Sequence, residues 1–301
     1  MSNEHLGFAP EAIAPVAAVA SRAVGLPTGD LELLRLGQNL MFWLPEPGVV
    51  VRVARDSSYL STSAKEVEVA RWLSENSFEA AKTVDLGQSQ PITIDGHPIT
   101  FWQYVEGSTA GQSDLAGIGD LLRRFHLLPP PDGVQFPVWL PLDRVEERIE
   151  QAEILDTDKE FLVGKASELR AQLPRLSYEM GVGVNHGDVH IKNVIVNPAG
   201  VAVLLDFEAV CLGHREWDLA KIATEAEMGM IAPERYSEFA KAYGYDVRGW
   251  EGFPTVCAVM QLRMTTWLGQ NVAHSAAVRD EFNKRLNTLR TGRLQDSWRG
   301  F

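Results

Sequence analysis

Apolar positions change their period partway along the chain. Up to about residue 105 they alternate or gather in short β-branched runs, and beyond residue 115 they recur at three- and four-residue intervals. Residues 11–25, rich in Ala and Val, predict a first helix. Residues 31–36, 41–44 and 49–54 predict strands, the last being the run Val49-Val50-Val51-Arg52-Val53-Ala54 behind the turn Pro45-Glu46-Pro47-Gly48. Alternation puts Val49, Val51 and Val53 on one face and Val50, Arg52 and Ala54 on the other, so Arg52 needs an anionic partner or solvent. A helix over residues 63–74 and two further strands over 81–86 and 98–105 complete a small antiparallel, strand-rich lobe. Val105-Glu106-Gly107-Ser108 has the character of a hinge.

The remaining chain reads as helices. One runs from Leu115 to His126 and stops at Pro129-Pro130-Pro131, before a loop that continues through Trp139. Others are expected over 142–152, 158–173, 217–230, 233–243, 253–270 and 276–291. The expected architecture is therefore α+β and two-lobed, with residues 1–105 as a small sheet lobe and 106–301 as a mostly helical lobe.

One strand-rich interruption stands inside the helical part. Val194-Ile195-Val196 and the run from Val201 to Leu205 flank the turn Asn197-Pro198-Ala199-Gly200, which makes a hairpin. Such a hairpin brings Asp188 and Asn193 to the same edge as Asp206. Three oxygen-bearing side chains there can hold a hard divalent cation and one attacking hydroxyl. Phosphoryl transfer asks for that set: a carboxylate to orient or deprotonate the acceptor, and cations to neutralise the phosphates.

Composition narrows the partners. The net charge of −12 argues against nucleic acid or an anionic membrane as a main partner, since both require a basic footprint, and is compatible with a cationic ligand. Cys211 and Cys257 form neither a disulfide framework nor a zinc spacing. No apolar run reaches membrane-spanning length and no secretory leader is evident, so the cytoplasm is the expected compartment.

The string His186-Gly187-Asp188-Val189-His190-Ile191-Lys192-Asn193, followed by Leu205-Asp206-Phe207-Glu208 and Trp217-Asp218-Leu219-Ala220, resembles the aminoglycoside phosphotransferases and their relatives within the protein-kinase-like fold. The resemblance extends more faintly from about Leu33 to the C-terminus. It implies a kinase that uses ATP or GTP with Mg2+ to phosphorylate a hydroxyl of an aminoglycoside-like or other antibiotic, a role in resistance. A metabolic kinase acting on a sugar, amino alcohol or amino acid is the alternative, and a non-catalytic nucleotide-binding protein a third.

Residue by residue, the resemblance makes Asp188 the catalytic base, His190 a contact to the transferring phosphate, and Asn193 and Asp206 the metal ligands. It makes Gly37, Gln38 and Asn39 the phosphate-covering loop. Arg52 stands where the family usually has Lys, paired with Glu66, and its fork suits phosphate oxygens. Backbone groups of Gln103 and Val105 would meet the adenine edge, with Val50, Ile195 and Leu205 enclosing the base. His186, Asp218 and His126 would brace the catalytic loop. Glu208 and Glu216, with Glu225 and Glu227, are acidic candidates for a cationic acceptor.

Overall fold

The computed structural model describes residues 8–29, 31–37, 39–131 and 133–300. Of the expected site residues only Gln38 lies outside them. The chain groups into two compact units. The first comprises the described residues of Met1–Thr109, Pro131–Phe136 and Lys192–Val210, and the second those of Ala110–Pro130, Pro137–Ile191 and Cys211–Phe301.

The first unit is built on one antiparallel sheet. Helix α1 (Pro10–Ala23) precedes strands β1 (Glu32–Leu36), β2 (Asn39–Leu44) and β3 (Val49–Ala54). Helix α2 (Leu60–Glu75), β4 (Ile92–Ile94) and β5 (His97–Gln103) follow, and the strands lie in the order β1-β2-β3-β5-β4. Register across β2 and β3 pairs Met41 with Arg52 and Asn39 with Ala54. The valine alternation is realised: Val49, Val51 and Val53 are buried, and they pack with Ile13, Ala17 and Ala20 of α1 and with Phe42 and Phe101 of the sheet. Each such side chain contributes about 1.5–3 kcal/mol on burial. The odd face is thus committed to the core, and Arg52 is left on the other.

Residues 81–86 do not form the expected strand. Ala81 N–H donates to Leu204 O, whereas Val84 N–H donates to Phe101 O and Lys82 O accepts from Gln103 N–H. The segment alternates between two partners, so no continuous ladder forms, and only isolated bridges to Leu204 and Trp102 remain. The hairpin is present: β8 (Val194–Val196) pairs with β9 (Ala202–Leu204), and β6 (Ser108–Thr109) joins it on the far side of β8. Gly107 enters β6 at φ +143°, and a Cβ there would lie 2.3 Å from Val196 O, so only glycine fits.

The second unit is helical. Its helices are α3 (Leu115–His126), α4 (Val145–Gln151), α5 (Asp156–Gln172), α6 (Glu216–Glu227), α7 (Pro233–Tyr243), α8 (Phe253–Gly269) and α9 (Ala276–Thr291). Helix α3 buries Leu115, Ile118, Leu121, Leu122 and Phe125, the stripe expected from its spacing. Gly119 on the same face allows α7 to approach, since a Cβ would meet Phe239 O at 2.4 Å. Helices α4, α5, α6 and α9 all pack on α8. A two-stranded pair that the sequence pattern did not reveal, β7 (Val182–Asn185) with β10 (Cys211–His214), lies between the helices in chain order. Among the described residues no helix is long and apolar enough to cross a membrane.

Candidate active site

In the first unit the site residues gather around Arg52. Its Nη1 donates to Glu66 Oε1 at 2.5 Å, and its Nη2 stands 3.7 Å from Glu208 Oε2. With the Asn39 amide oriented oxygen-inward, that oxygen accepts from Arg52 Nε at 3.2 Å and Nη2 at 2.7 Å. Helix spacing explains why Glu66 is the partner and Glu68 is not. The two lie two residues apart and so on different faces, and Glu68 pairs with Arg71 at the surface.

Burial opposes the Arg52 charge, but Glu66, Asp206 and Glu208 outweigh it and raise the Arg52 pKa. Burial pushes Glu66 up to about 7 despite Arg52, with Asp206 and Glu208 adding to the rise. A single guanidinium therefore faces three acids, a balance that more positive charge would improve.

The hairpin fixes the rest of this half. Leu205 N–H donates to Asn193 O at 2.9 Å, and Val194 pairs with Leu204, so Asn193 and Asp206 flank the same end of the ladder. Asn193 is buried. Asp206 sits in the left-handed region at φ +63°, a conformation uncommon outside glycine that Asp tolerates better than most residues. Lys65 Nζ donates to Glu208 O at 2.6 Å and Val210 O at 3.0 Å, which ties α2 to the segment after Asp206.

Two neutral or acidic oxygen donors suit magnesium, which keeps several waters and is usually completed by phosphate oxygens. Among the described residues no group of three or more His, Cys, Asp or Glu could hold a metal alone. Asn193 and Asp206 are two oxygen donors of the kind magnesium takes when waters or phosphate oxygens complete its shell.

Val50, Val105, Ile195 and Leu205 are half-buried, and Gln103 is exposed. The Gln103 N–H is spent on Lys82 O, which leaves the carbonyl as the backbone group it could offer a base. Gly37 is exposed at the β1–β2 turn.

In the second unit β7 delivers the chain into the loop His186-Gly187-Asp188, and β10 delivers it into α6, whose first turn carries Glu216 and Asp218. Asp218, 1% exposed, binds that loop. Its Oδ2 accepts from His186 N–H at 2.7 Å and from His126 Nε2 at 3.0 Å, and its Oδ1 accepts from Gly187 N–H at 2.7 Å. His126 Nδ1 in turn meets Tyr243 Oη at 2.7 Å. Acids in a first helical turn also complement the helix dipole.

The loop so held presents Asp188, whose side chain is 47% exposed, beside two cationic or potentially cationic groups. Lys221 Nζ lies 3.4 Å from its Oδ1, and His190 Nε2 lies 3.5 Å from its Oδ2. Burial would raise the carboxyl, but Lys221, the hydrogen bond from His190 and the nearby His186 hold it well below the usual carboxylate range.

The four acids considered for an acceptor are already engaged. Glu216 is fully buried, and its Oε1 accepts from Glu179 N–H at 2.6 Å and Met180 N–H at 2.8 Å. Glu225 faces Lys221 at 4.0 Å, Glu227 faces Arg248 at 3.8 Å, and Glu208 belongs to the Arg52 group. Lys221 was not evident from its residue type. It does follow Asp218 by three positions, which puts it on the same face of α6, and that spacing is the signal that would have found it.

The family model described as "Phosphotransferase enzyme family" matches residues 35–253. No curated protein matches the sequence. Several solved structures do in fold. An amicoumacin kinase in complex with AMP-PNP and Ca2+ is 16% identical, with 96% of each chain covered and a TM-score of 0.72. A microcompartment-associated aminopropanol kinase is 17% identical, covering 91% of this chain and 94% of that one, with a TM-score of 0.72. An aminoglycoside phosphotransferase from Streptomyces rimosus is 18% identical, covering 82% and 98%, with a TM-score of 0.62.

Proposed function

The chain belongs to the phosphotransferase enzyme family and has its protein-kinase-like fold, and from that premise we propose that it transfers the γ-phosphoryl group of ATP or GTP to a hydroxyl of a small molecule. The observation that carries the proposal is the state of Asp188: solvent-accessible, ionised, and mounted on a loop that the buried Asp218 carboxylate anchors. In the reaction a bond forms between the acceptor oxygen and the γ-phosphorus, and the bond from that phosphorus to the bridging oxygen breaks. The acceptor proton passes to Asp188 and the nucleoside diphosphate leaves. A carboxylate held so low is a weak base, so its main contribution is to orient the hydroxyl, as a loose phosphoryl-transfer transition state requires.

Arg52, held by Glu66, would neutralise phosphate oxygens, and Asn39, already bonded to it, would help fix its fork. Asn193 and Asp206 would hold Mg2+, which supplies charge neutralisation on the phosphates when bound. His190 would donate a hydrogen bond to the transferring group. Val50, Val105, Ile195 and Leu205 would line the base.

Fold relatives include kinases of antibiotics and of amino alcohols. The state of the candidate acids favours a metabolic acceptor over a polycationic aminoglycoside, because Glu208, Glu225 and Glu227 already face cations and Glu216 is closed off from solvent by full burial. The test is Mg2+-dependent nucleotide turnover by wild type and Asp188→Ala across a panel of antibiotics, sugars, amino alcohols and hydroxy acids. General-base and orienting groups contribute about 10²–10⁴-fold, so Asp188→Ala should lose at least a hundredfold. Equal turnover by the two proteins with every acceptor would refute the kinase reading.

A further inference from the structure

In the second unit, positive charge from three helices forms a series of electrostatic neighbours that leads to Asp188. Arg263 on α8 stands within electrostatic reach of Asp188, Arg148 on α4 within reach of Arg263, and Lys221 on α6 within 3.4 Å of the Asp188 carboxylate. Arg263 is a lone charge in the apolar run Val256 to Leu268. Its guanidinium lies over the Trp139 ring, 4.6 Å from the centroid. Trp139 is itself fixed, with its backbone N–H donating to Leu212 O at 2.7 Å and its ring 5.7 Å from that of Trp217. Arg263 Nη1 donates to Pro141 O at 3.0 Å and reaches Leu140 O at 3.5 Å. Its Nε and Nη2 make no hydrogen bond among the described residues, and Asp188 and Asp143 act on it only through space. Those two form the edge of a guanidinium that grips a carboxylate or phosphate through two parallel hydrogen bonds.

Arg148 is stranger still. Its Nε is buried with no acceptor, as is the indole nitrogen of Trp139. Asp143 and Glu147 act on it from a distance, and Arg144 and Arg263 add like charge. Burial together with those two arginines pushes its pKa down to about 10. Two neighbouring guanidinium groups that Asp143, Glu147 and Asp188 reach only from a distance, with no carboxylate in contact, are costly to fold around. An anion would relieve that cost, and a polycation would add to it.

We infer that the acceptor is an alcohol that also carries an acidic group, and that Arg263 receives that group with Arg148 and Lys221 supplying supporting charge. The inference rests on reading Asp188 as the residue that faces the acceptor. It makes Arg263 the specificity determinant and gives Trp139 the task of holding the guanidinium plane.

Matched acceptors test it: glycerate, serine and gluconate, each against its carboxamide and its amine counterpart, followed by nucleotide turnover and by isothermal titration to the protein with AMP-PNP and Mg2+. The expected result is preference for the acid within a pair by at least tenfold in kcat/KM or in Kd. Arg263→Gln should raise KM or Kd for the acid about tenfold to a hundredfold, the range of a charge-assisted pair, while changing the amide little. Arg263→Lys, which keeps charge and loses the paired edge, should fall between. Preference for the amine or the amide overturns the inference, and so does an Arg263→Gln protein that folds and binds acids as wild type does. So does a panel in which neither turnover nor titration favours any acid. Those failures are separable from failure of the kinase reading, because Asp188-dependent turnover with an amine acceptor would sink the acid group alone.

Discussion

Asp218 makes a sharp test of how the Asp188 loop is held. Replacing it with Asn preserves shape and removes one acceptor oxygen. The carboxylate now serves three donors, two at Oδ2 and one at Oδ1. An Asn oxygen placed at the Oδ2 position keeps His186 N–H and His126, but its amide then faces the Gly187 N–H with a donor. Each of the two retained bonds loses its charge assistance, worth about 1 kcal/mol apiece, and the orphaned Gly187 donor costs about 1–3 kcal/mol. Relief from burying a charge offsets part of this, leaving a net loss of about 2–4 kcal/mol. At about 2–4 °C per kcal/mol for a chain unit of this size, the melting temperature should fall by about 5–15 °C. Because Gly187 is bonded directly to Asp188, kcat should fall with it, while nucleotide KM changes little, since the Arg52 group is untouched. Thermal unfolding by circular dichroism and steady-state kinetics measure both. Asp120→Asn is the control: it sits exposed on α3 with Arg123 and Arg124 and should cost less than about 1 kcal/mol. An Asp218→Asn protein that melts with wild type, or keeps kcat within twofold, would show that the carboxylate does not anchor the loop.

Other outcomes follow from the same geometry. Arg52→Lys keeps a charge but cannot serve Glu66 and Asn39 with a planar fork, so nucleotide Kd by titration should weaken about tenfold. The Asp188 pKa is depressed in the folded protein, so its contribution to stability is present above the ordinary value of 3.8 and is lost only as pH falls through the lower folded value. Wild-type kcat/KM should therefore show no acid limb from Asp188 above about pH 5, whereas Lys221→Met should move its titration upward and shift any low-pH limb to higher pH. An unchanged profile in Lys221→Met would refute the role of that ammonium. Gly107→Ala should lower the melting temperature by several degrees, because it combines φ +143° with a Cβ inside contact distance of Val196 O.

Strand β3 shows how much of the molecule is local. Its alternation fixes which side Arg52 occupies, whatever packs around it, because side chains on a strand must alternate. The same holds for the α3 stripe and for the hairpin that sets Asn193 and Asp206 at one end of a ladder. Residues 81–86 show the limit. Their composition suits a strand, but a strand is defined by a partner, and the fold splits their hydrogen bonds between Leu204 and Phe101. Strands β7 and β10 escape notice for the complementary reason. Each has four residues and a glycine, too few to display a period, and they exist because residues 182–185 and 211–214 meet.

By itself, then, the sequence determined where the candidate chemistry sits: the spacing of Asp188, Asn193 and Asp206, the alternation that singles out Arg52, and the helix face that selects Glu66 over Glu68. These are properties of residue type and short-range periodicity, and they persist in any fold that honours them. Only the tertiary structure decided the charge around Asp188. Glu208, Glu216, Glu225 and Glu227 look available in the sequence, and folding spends each on a partner. Arg148, Lys221 and Arg263 look like surface cations on separate helices, and folding brings Lys221 and Arg263 within reach of Asp188 and Arg148 within reach of Arg263. Charge works through space, and these side chains come within reach of one another only when α4 and α6 pack on α8.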